Sequence, residues 1–291
     1  MIVLGACLLL GGIGYSTGIP IKEIFFFVVA VAVSAIPEGL PIAMTVALSI
    51  GASQMAKRNV IIRKLTAVEG LGSCTFIATD KTGTLTVDQQ TARTIVLPGP
   101  KSYTVTGEGY NGEGIISRPD GKEISCNTSP ELEQMIKSVV ICNEGDLSKD
   151  DGSWSYAGDP IDVALLALAY KANTTPAELH EQVEKVSEVP FESERQYAAV
   201  YYREKGQDTI KIAVKGAIEK IREHIDQEKN GGLLDQLVHY AENGYRIIAV
   251  AAGTVPEVLP MDQLPDMQLL GFVALIDPLR PEARYAVEEC H

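Results

Sequence analysis

The sequence lacks the basic excess that proteins binding nucleic acid usually carry. Its 25 Lys and Arg residues stand against 38 Asp and Glu residues, which gives a formal net charge of −13. A surface of this sign repels a phosphate backbone, so nucleic acid is not expected as a partner. Close cysteine pairs at metal-binding or redox spacing are also missing, so we interpret the five cysteines as reduced packing residues. They are Cys7, Cys74, Cys126, Cys142 and Cys290.

Charge is nearly absent from the first 56 residues, where Lys22, Glu23 and Glu38 are the charged side chains. The stretch 24–56 exceeds the roughly 20 apolar residues that a membrane-spanning helix needs. With the apolar residues 1–14 before it, this stretch predicts a membrane helical hairpin.

Four basic residues follow the hairpin directly. By the positive-inside tendency, this cluster places the C-terminal end of the hairpin in the cytoplasm. We therefore expect an integral membrane protein with an outer loop at residues 15–20 and with residues 57–291 in the cytoplasm. The four residues are Lys57, Arg58, Arg63 and Lys64.

Two prolines, Pro37 and Pro41, interrupt the second apolar stretch on either side of Glu38. Each proline removes a backbone donor, so the helix is expected to open here and to leave carbonyl groups without partners. Free carbonyls beside a carboxylate at mid-membrane depth would bind a hard cation. A kinked helix with a neutral or hydrogen-bonded Glu38 is the structural alternative. The expected cation ligands are the Glu38 side chain and the backbone carbonyls of Val33, Ser34 and Ile36.

A polar loop follows the apolar segment 75–79, which predicts a short buried strand. Such a strand would deliver Asp80 at its carboxyl edge, where open parallel sheets bind their ligands. Asp80 is the natural nucleophile, Lys81 would neutralise a phosphate, and the hydroxyls of Thr82 and Thr84 would hold its oxygens. A phosphatase that carries its aspartate nucleophile at the edge of such a parallel sheet usually has a second acid at the position of Thr82. Its absence predicts an aspartyl-phosphate that hydrolyses slowly.

The seven residues Asp-Lys-Thr-Gly-Thr-Leu-Thr that begin at Asp80 resemble the signature of the P-type ATPases. Pro-Glu-Gly-Leu-Pro at 37–41 resembles the fourth membrane helix of the calcium-pump and sodium/potassium-pump branch. The resemblance implies ATP as phosphate donor and Mg²⁺ as cofactor, held by the Asp80 carboxylate, the Thr82 carbonyl and an acid from elsewhere. It also implies a transported cation: Ca²⁺ is favoured, and Mn²⁺ or Na⁺ would accept the same oxygen donors.

From about residue 91 to residue 274 the pattern changes to short strands and turns mixed with amphipathic helices, which is typical of an α+β domain. Residues 130–142 predict a helix opened by Ser129, and residues 160–172 predict a second helix.

Several short motifs in this region resemble the nucleotide-binding segments of the same family. The resemblance implies that Phe191, on a strand over residues 190–195, stacks on the adenine ring and that Arg195 lies near the phosphates. It further implies that Lys215 and Gly216 line the deep end of the pocket.

Three further resemblances complete the expected site. Arg246 matches a position near the nucleotide phosphates. Asp162 stands where the family usually has Glu, so it reaches less far towards the adenine amino group. Asp277 and Arg280 match the hinge by which the chain returns to the phosphorylation domain, and they are counted among the nucleotide-binding residues.

Together these features predict a membrane helical hairpin (1–56), a stalk with part of an α/β, haloacid-dehalogenase-like phosphorylation domain (57–90), an inserted α+β nucleotide-binding domain (91–274) and a hinge (275–291). We expect the central fragment of an ATP-driven cation pump of the plasma membrane, phosphorylated on Asp80. Its partners would be the transported cation, the lipid bilayer and the remainder of the same pump. Two other classes stay open: a membrane-anchored phosphatase of the same hydrolase fold, and a non-catalytic nucleotide-binding remnant that senses ATP.

Overall fold

The computed structural model describes residues 2–34, 39–99 and 101–290, and the chain divides into two compact units between Ala78 and Thr79. The described part of the first unit is helical. Its helices are α1 (Ile2–Ser16), α2 (Ile21–Ser34), α3 (Gly39–Ala56) and α4 (Thr66–Gly72).

Helices α1 and α2 pack against each other as a hairpin. Their turn contains Gly18, whose positive φ of 80° favours glycine. Gly14 lets the two helices approach closely, because a Cβ at this position would lie 3.1 Å from the side chain of Ile24.

The stretch Ile21–Ala56, which includes the four undescribed residues 35–38, is long and apolar enough to cross a membrane, and an 18-residue window within it has a mean hydropathy of 2.0. The predicted helix break covers residues 37–41. Pro37 and Glu38, together with the predicted ligand Ile36, lie outside the described residues, so this part stays a prediction, whereas Gly39, Leu40 and Pro41 lie in α3.

Over residues 79–99 and 101–290, the second unit is built on a nine-stranded antiparallel sheet. Its spatial order is β4-β3-β2-β1-β11-β10-β9-β8-β7. The strands are β1 (Thr91–Leu97), β2 (Lys101–Val105), β3 (Ile116–Ser117), β4 (Glu123–Ile124), β7 (Val183–Val189), β8 (Tyr197–Glu204), β9 (Ile210–Gly216), β10 (Arg246–Val255) and β11 (Gln268–Ile276). A separate hairpin joins β5 (Asp146–Asp150) to β6 (Ser153–Ala157).

Helices cover both faces of this sheet. They are α5 (Pro130–Ile141), α6 (Pro160–Lys171), α7 (Pro176–Glu181), α8 (Ile218–Ile221) and α9 (Gln227–Glu242). A further helix, α10 (Ala283–Glu289), follows the last strand and is exposed apart from Ala283. Along β10, Val250 faces the core that contains α5 and α6, whereas Ala249 and Ala251 face the core that contains α8 and α9. Burial on both faces explains why the central strands are continuous apolar runs rather than alternating ones.

The helices α5 and α6 confirm their predictions, because their start signals are local. Ser129 caps α5 by accepting a hydrogen bond from the Leu132 amide, and Asp159 caps α6 by accepting one from the Ile161 amide. The combination of an antiparallel sheet with helices packed on it also confirms the α+β class of this domain.

The first and last strands of the sheet, β1 and β11, are neighbours at its centre, with Thr91 opposite Ile276. The chain therefore enters and leaves the sheet at one place. This topology brings the loop before β1 next to the segment after β11, although almost 200 residues separate them in sequence.

The strand predicted over 75–79 is wrong. These residues belong to no strand, and Phe76 is 80% exposed. A strand requires a neighbour for its backbone groups, and no described strand pairs with this segment. The packing role assigned to the cysteines also fails for Cys74 and Cys290, which are exposed, whereas Cys126 and Cys142 are buried.

Candidate functional site

A cavity of about 290 Å³ opens in the second unit where several segments converge. They are the loop after α5, the start of α6, the loop between β7 and β8, the end of β9 and the start of β10. The residues that line the cavity are Glu144, Gly158, Asp159, Ile161, Asp162, Phe191, Lys215, Gly216, Arg246 and Ile248. The structure thus brings together five predicted nucleotide-binding residues, Asp162, Phe191, Lys215, Gly216 and Arg246.

A buried ion pair lies at the polar end of this cavity. The Lys215 ammonium on β9 donates to Asp162 Oδ1 in the first turn of α6, and both residues are buried. The second carboxylate oxygen, Asp162 Oδ2, accepts a hydrogen bond of 2.9 Å from the backbone amide of Glu144. Both oxygens of Asp162 are therefore bonded within the protein, so this side chain holds Lys215 in place.

Phe191 lies at the mouth of the cavity with 53% of its surface exposed. Its backbone amide donates to Glu144 Oε1 over 2.9 Å. The strand predicted for residues 190–195 is wrong: this segment is a turn between β7 and β8. Pro190 has no N–H group to offer a sheet, and Gln196 ends the turn with a φ of 60°.

Gly216 is required by the protein backbone itself. A Cβ at this position would lie 2.4 Å from the carbonyl oxygen of Gln196 and 2.6 Å from the Cα of Tyr197. Gly158 is equally constrained. Its φ is 110°, and a Cβ at this position would lie only 2.7 Å from Gly145 Cα. The two glycines therefore permit close backbone crossings that shape the wall of the cavity.

The two arginines predicted near the phosphates occupy different surroundings. Arg246, the first residue of β10, is exposed and lines the cavity. Arg195 is outside the described lining of the cavity, and its guanidinium pairs with Glu192 over 2.7 Å and with Asp262 over 3.5 Å.

The loop that carries Asp80 forms a single tight turn. The Thr86 amide donates to the Lys81 carbonyl over 3.1 Å, and Gly83 adopts a φ of 74°. Asp80 is exposed, and its carboxylate makes no hydrogen bond with any other residue that the structure describes. Asp80, Lys81, Thr82 and Thr84 thus lie together on one exposed turn.

The segment after β11 is fastened to this turn. Asp277 Oδ2 accepts a hydrogen bond of 2.5 Å from the Thr86 hydroxyl, and Asp277 Oδ1 accepts one of 3.2 Å from the Gln89 amide. The Arg280 guanidinium donates to the Thr86 carbonyl and to the Gly83 carbonyl, each over 3.1 Å. Asp277 and Arg280 thus form a clasp around the Asp80 turn and are not among the residues lining the cavity.

Glu144 is the main cavity residue that the sequence did not indicate. It is a single acid between helix α5 and Gly145, and its position follows from contacts with Phe191 and Asp162 that are distant in sequence. The apolar side chains of Ile161 and Ile248 were missed for a similar reason, because they resemble ordinary core residues.

Within the described residues, no group of three or more His, Cys, Asp or Glu side chains could hold a metal ion. Asp80 and the Thr82 carbonyl supply two oxygen donors on one turn, which suits Mg²⁺ when water or phosphate oxygens complete the coordination.

Comparison with known proteins gives consistent matches. Residues 131–282 match the family model of the P-type ATPase cytoplasmic domain N. The chain is 39% identical to the cation-transporting ATPase pma1 of Synechocystis, covering 96% of this chain and 32% of that protein. It is 35% identical to a calcium-transporting ATPase of Bacillus subtilis (96% and 33%) and 34% identical to the calcium-transporting ATPase type 2C member 2 of Mus musculus (95% and 29%). The chain spans about a third of the length of these relatives.

Proposed function

This chain belongs to the P-type ATPase family, and we propose that it carries the nucleotide site and the phosphorylated aspartate of an ATP-driven cation pump. The observation that carries the proposal is the cavity in which Asp162, Phe191, Lys215 and Arg246 converge from separate segments. The intact turn around Asp80 in the same unit supports it further.

The cavity suits a purine nucleotide. The half-exposed ring of Phe191 offers a face for stacking on the base, and Ile161 and Ile248 offer apolar walls. The Glu144 carboxylate is an acceptor for an exocyclic amino group. About 290 Å³ is enough for the base and its sugar, so the phosphates would lie at the rim beside Arg246.

The proposed reaction is phosphoryl transfer to Asp80. A carboxylate oxygen of Asp80 would form a bond to the γ-phosphorus of ATP, while the bond to the β–γ bridging oxygen breaks and ADP leaves. Lys81 would offset the charge on the transferred group, and the hydroxyls of Thr82 and Thr84 would donate to its oxygens. Mg²⁺, when bound by Asp80 and the Thr82 carbonyl, would supply further charge neutralisation. The clasp of Asp277 and Arg280 would hold the turn in one geometry.

The transported ion is proposed to be Ca²⁺, because two of the relatives above are named calcium-transporting ATPases. Val33 and Ser34 lie at the end of α2, where the proposed carbonyl ligands begin, and Glu38 would complete the site with Ile36. The apolar stretch Ile21–Ala56 supports a position in the bilayer, and we place the pump in the plasma membrane with residues 57–291 in the cytoplasm.

Titration of the whole chain, in detergent micelles, with ATP tests the nucleotide site. Base–aromatic stacking contributes about 1–3 kcal/mol, so Phe191→Ala should weaken ATP binding by about fivefold to 150-fold. Tyr285→Ala is the matched control, since Tyr285 is an exposed aromatic residue outside the cavity. Equal affinities for Phe191→Ala and the unaltered chain would refute the assignment of the cavity to the nucleotide.

A further inference from the structure

The turn that carries Phe191 lies on the surface between β7 and β8, and Phe191 is exposed. The second half of the turn is held in two places. The Gln196 carbonyl accepts a hydrogen bond of 2.9 Å from the Ala217 amide, and the Arg195 guanidinium pairs with Asp262. Phe191 lies outside these contacts, so its place at the mouth of the cavity depends on a contact of its own.

Glu144 makes that contact. Its Oε1 accepts the hydrogen bond of 2.9 Å from the Phe191 amide, although the two residues are 47 positions apart in sequence. The bond joins the backbone of an exposed turn to a side chain from the loop after α5. A carboxylate is a stronger acceptor for an N–H group than a neutral oxygen. One oxygen of Glu144 is therefore committed to holding the turn.

The loop that carries Glu144 is anchored to α6. The Glu144 amide donates to Asp162 Oδ2 over 2.9 Å, and Asp162 is itself paired with Lys215. The Asn143 side-chain amide donates to the Asp162 carbonyl over 3.0 Å and accepts a hydrogen bond of 2.8 Å from the Gly145 amide. The backbone of Glu144 is thus fixed at the buried ion pair, and its side chain extends from there to the Phe191 turn.

The charge of Glu144 is unfavourable for the proposed ligand. A nucleotide triphosphate is an anion, and a carboxylate in the lining of its site repels it. An aromatic ring on an exposed turn, however, binds weakly unless it is ordered beforehand, because the ordering entropy is otherwise lost on binding. A carboxylate that orders the ring can offset its own repulsion.

We propose that Glu144 is a positioning residue that holds the Phe191 ring where it stacks on the base. The role rests on the proposed function, because it assumes that the cavity binds a nucleotide. The hydrogen bond is formed without a ligand, so the ring is in place before the nucleotide arrives. What matters is the acceptor oxygen and not the charge. Glu144→Gln keeps that oxygen, whereas Glu144→Ala removes it.

Amide hydrogen exchange of the whole chain in micelles tests the hydrogen bond without any nucleotide. Glu144→Ala should speed exchange of the Phe191 amide about threefold to tenfold, whereas Glu144→Gln should change it at most about twofold. Glu257→Ala is the matched control, since Glu257 is an exposed acid on a loop after β10 and is not among the residues lining the cavity. An unchanged exchange rate in Glu144→Ala would overturn the proposal.

Titration with purine riboside triphosphate tests what the hydrogen bond does for binding. This nucleotide has the stacking face of ATP but no exocyclic amino group, so a contact between Glu144 and that group does not contribute. Glu144→Ala should bind it about twofold to tenfold more weakly than Glu144→Gln; both variants lack the charge, so their difference measures the acceptor. When Phe191→Ala is added to each variant, that difference should vanish. A difference of the same size with and without Phe191 would overturn the proposal, because Glu144 would then act on the nucleotide independently of the ring.

Failure of the positioning role and failure of the nucleotide site give different results. If Phe191→Ala weakens binding but Glu144→Ala and Glu144→Gln bind equally, the cavity still binds the nucleotide and the positioning role of Glu144 is refuted. If Phe191→Ala leaves the affinity unchanged, the nucleotide assignment of the cavity is refuted, and the positioning role with it. Glu144 is exposed, so both of its variants should fold, and equal melting temperatures would confirm this.

Discussion

Removal of the Asp162 carboxylate should destabilise the second unit far more than its position beside a cavity suggests. Asp162→Ala leaves the Lys215 ammonium buried without its partner and also removes the acceptor of the Glu144 amide. Loss of one member of a buried ion pair costs about 3–5 kcal/mol, because an uncompensated charge stays in the interior.

The change in melting temperature follows from the size of the unit. For a domain of about 150–250 residues, 1 kcal/mol shifts the midpoint by about 2–4 °C, so a loss of about 3 kcal/mol predicts a fall of about 6–12 °C. Lys215→Met alone should also destabilise, since it leaves a buried carboxylate. The double variant Asp162→Ala/Lys215→Met contains neither charge and should lose less than Asp162→Ala alone.

Thermal unfolding of the whole chain in micelles, followed by circular dichroism, measures these shifts. Arg284→Ala is the control, because the Arg284–Glu288 pair is exposed and should contribute little. If Asp162→Ala and Arg284→Ala shifted the midpoint equally, or if the double variant were as unstable as the sum of the single ones, the buried pair would not be the source of the stability.

Three further predictions concern groups outside the cavity. Burial lowers the pKa of Lys171 from 10.5 to about 8, so Lys171 binds more protons in the unfolded chain than in the folded chain between these values. The stability contributed by Lys171 should therefore rise from pH 8 to pH 10.5, by up to about 3 kcal/mol. The free energy of unfolding of the unaltered chain minus that of Lys171→Met, followed over this range, should show this rise. Arg280→Ala removes two hydrogen bonds to the Asp80 turn and should speed amide hydrogen exchange over residues 81–89 about tenfold, whereas Arg284→Ala should not. Ser129→Ala removes the cap of α5 and should cost about 1 kcal/mol in chemical unfolding; a change below a few tenths would contradict the capping role.

The parts of the fold that were predictable from sequence rest on local signals. Ser129 followed by Pro130, and Asp159 followed by Pro160, identify helix starts because the cap and the proline act within one turn. Residues 75–79 have the composition of a strand, yet a strand depends on a partner that no local pattern reveals. Phe191 was identified by resemblance, but its turn is imposed by Pro190 and Gln196 together.

The same distinction holds for the candidate site: local motifs indicate individual residues, whereas the contacts between them join segments that are distant in sequence. Lys215 and Asp162 could each be named from a motif, but their ion pair joins residues 53 positions apart. Asp277 and Arg280 were assigned both to a hinge and to the nucleotide; their contacts are with Thr86 and Gly83, more than 190 positions earlier, and not with the cavity. Such contacts depend on β1 and β11 being neighbours, which the sequence pattern did not indicate.

The central claim is that Asp80 accepts phosphate from ATP, and phosphoenzyme labelling of the full-length protein in native membranes tests it most directly. With γ-labelled ATP, the unaltered protein and the Asp235→Asn control should give an acid-stable label that hydroxylamine removes, since an acyl-phosphate has that chemistry. Asp80→Asn should give none. Label that persists in Asp80→Asn would contradict the account, and absence of label from all three proteins would favour a nucleotide-binding role without phosphoryl transfer.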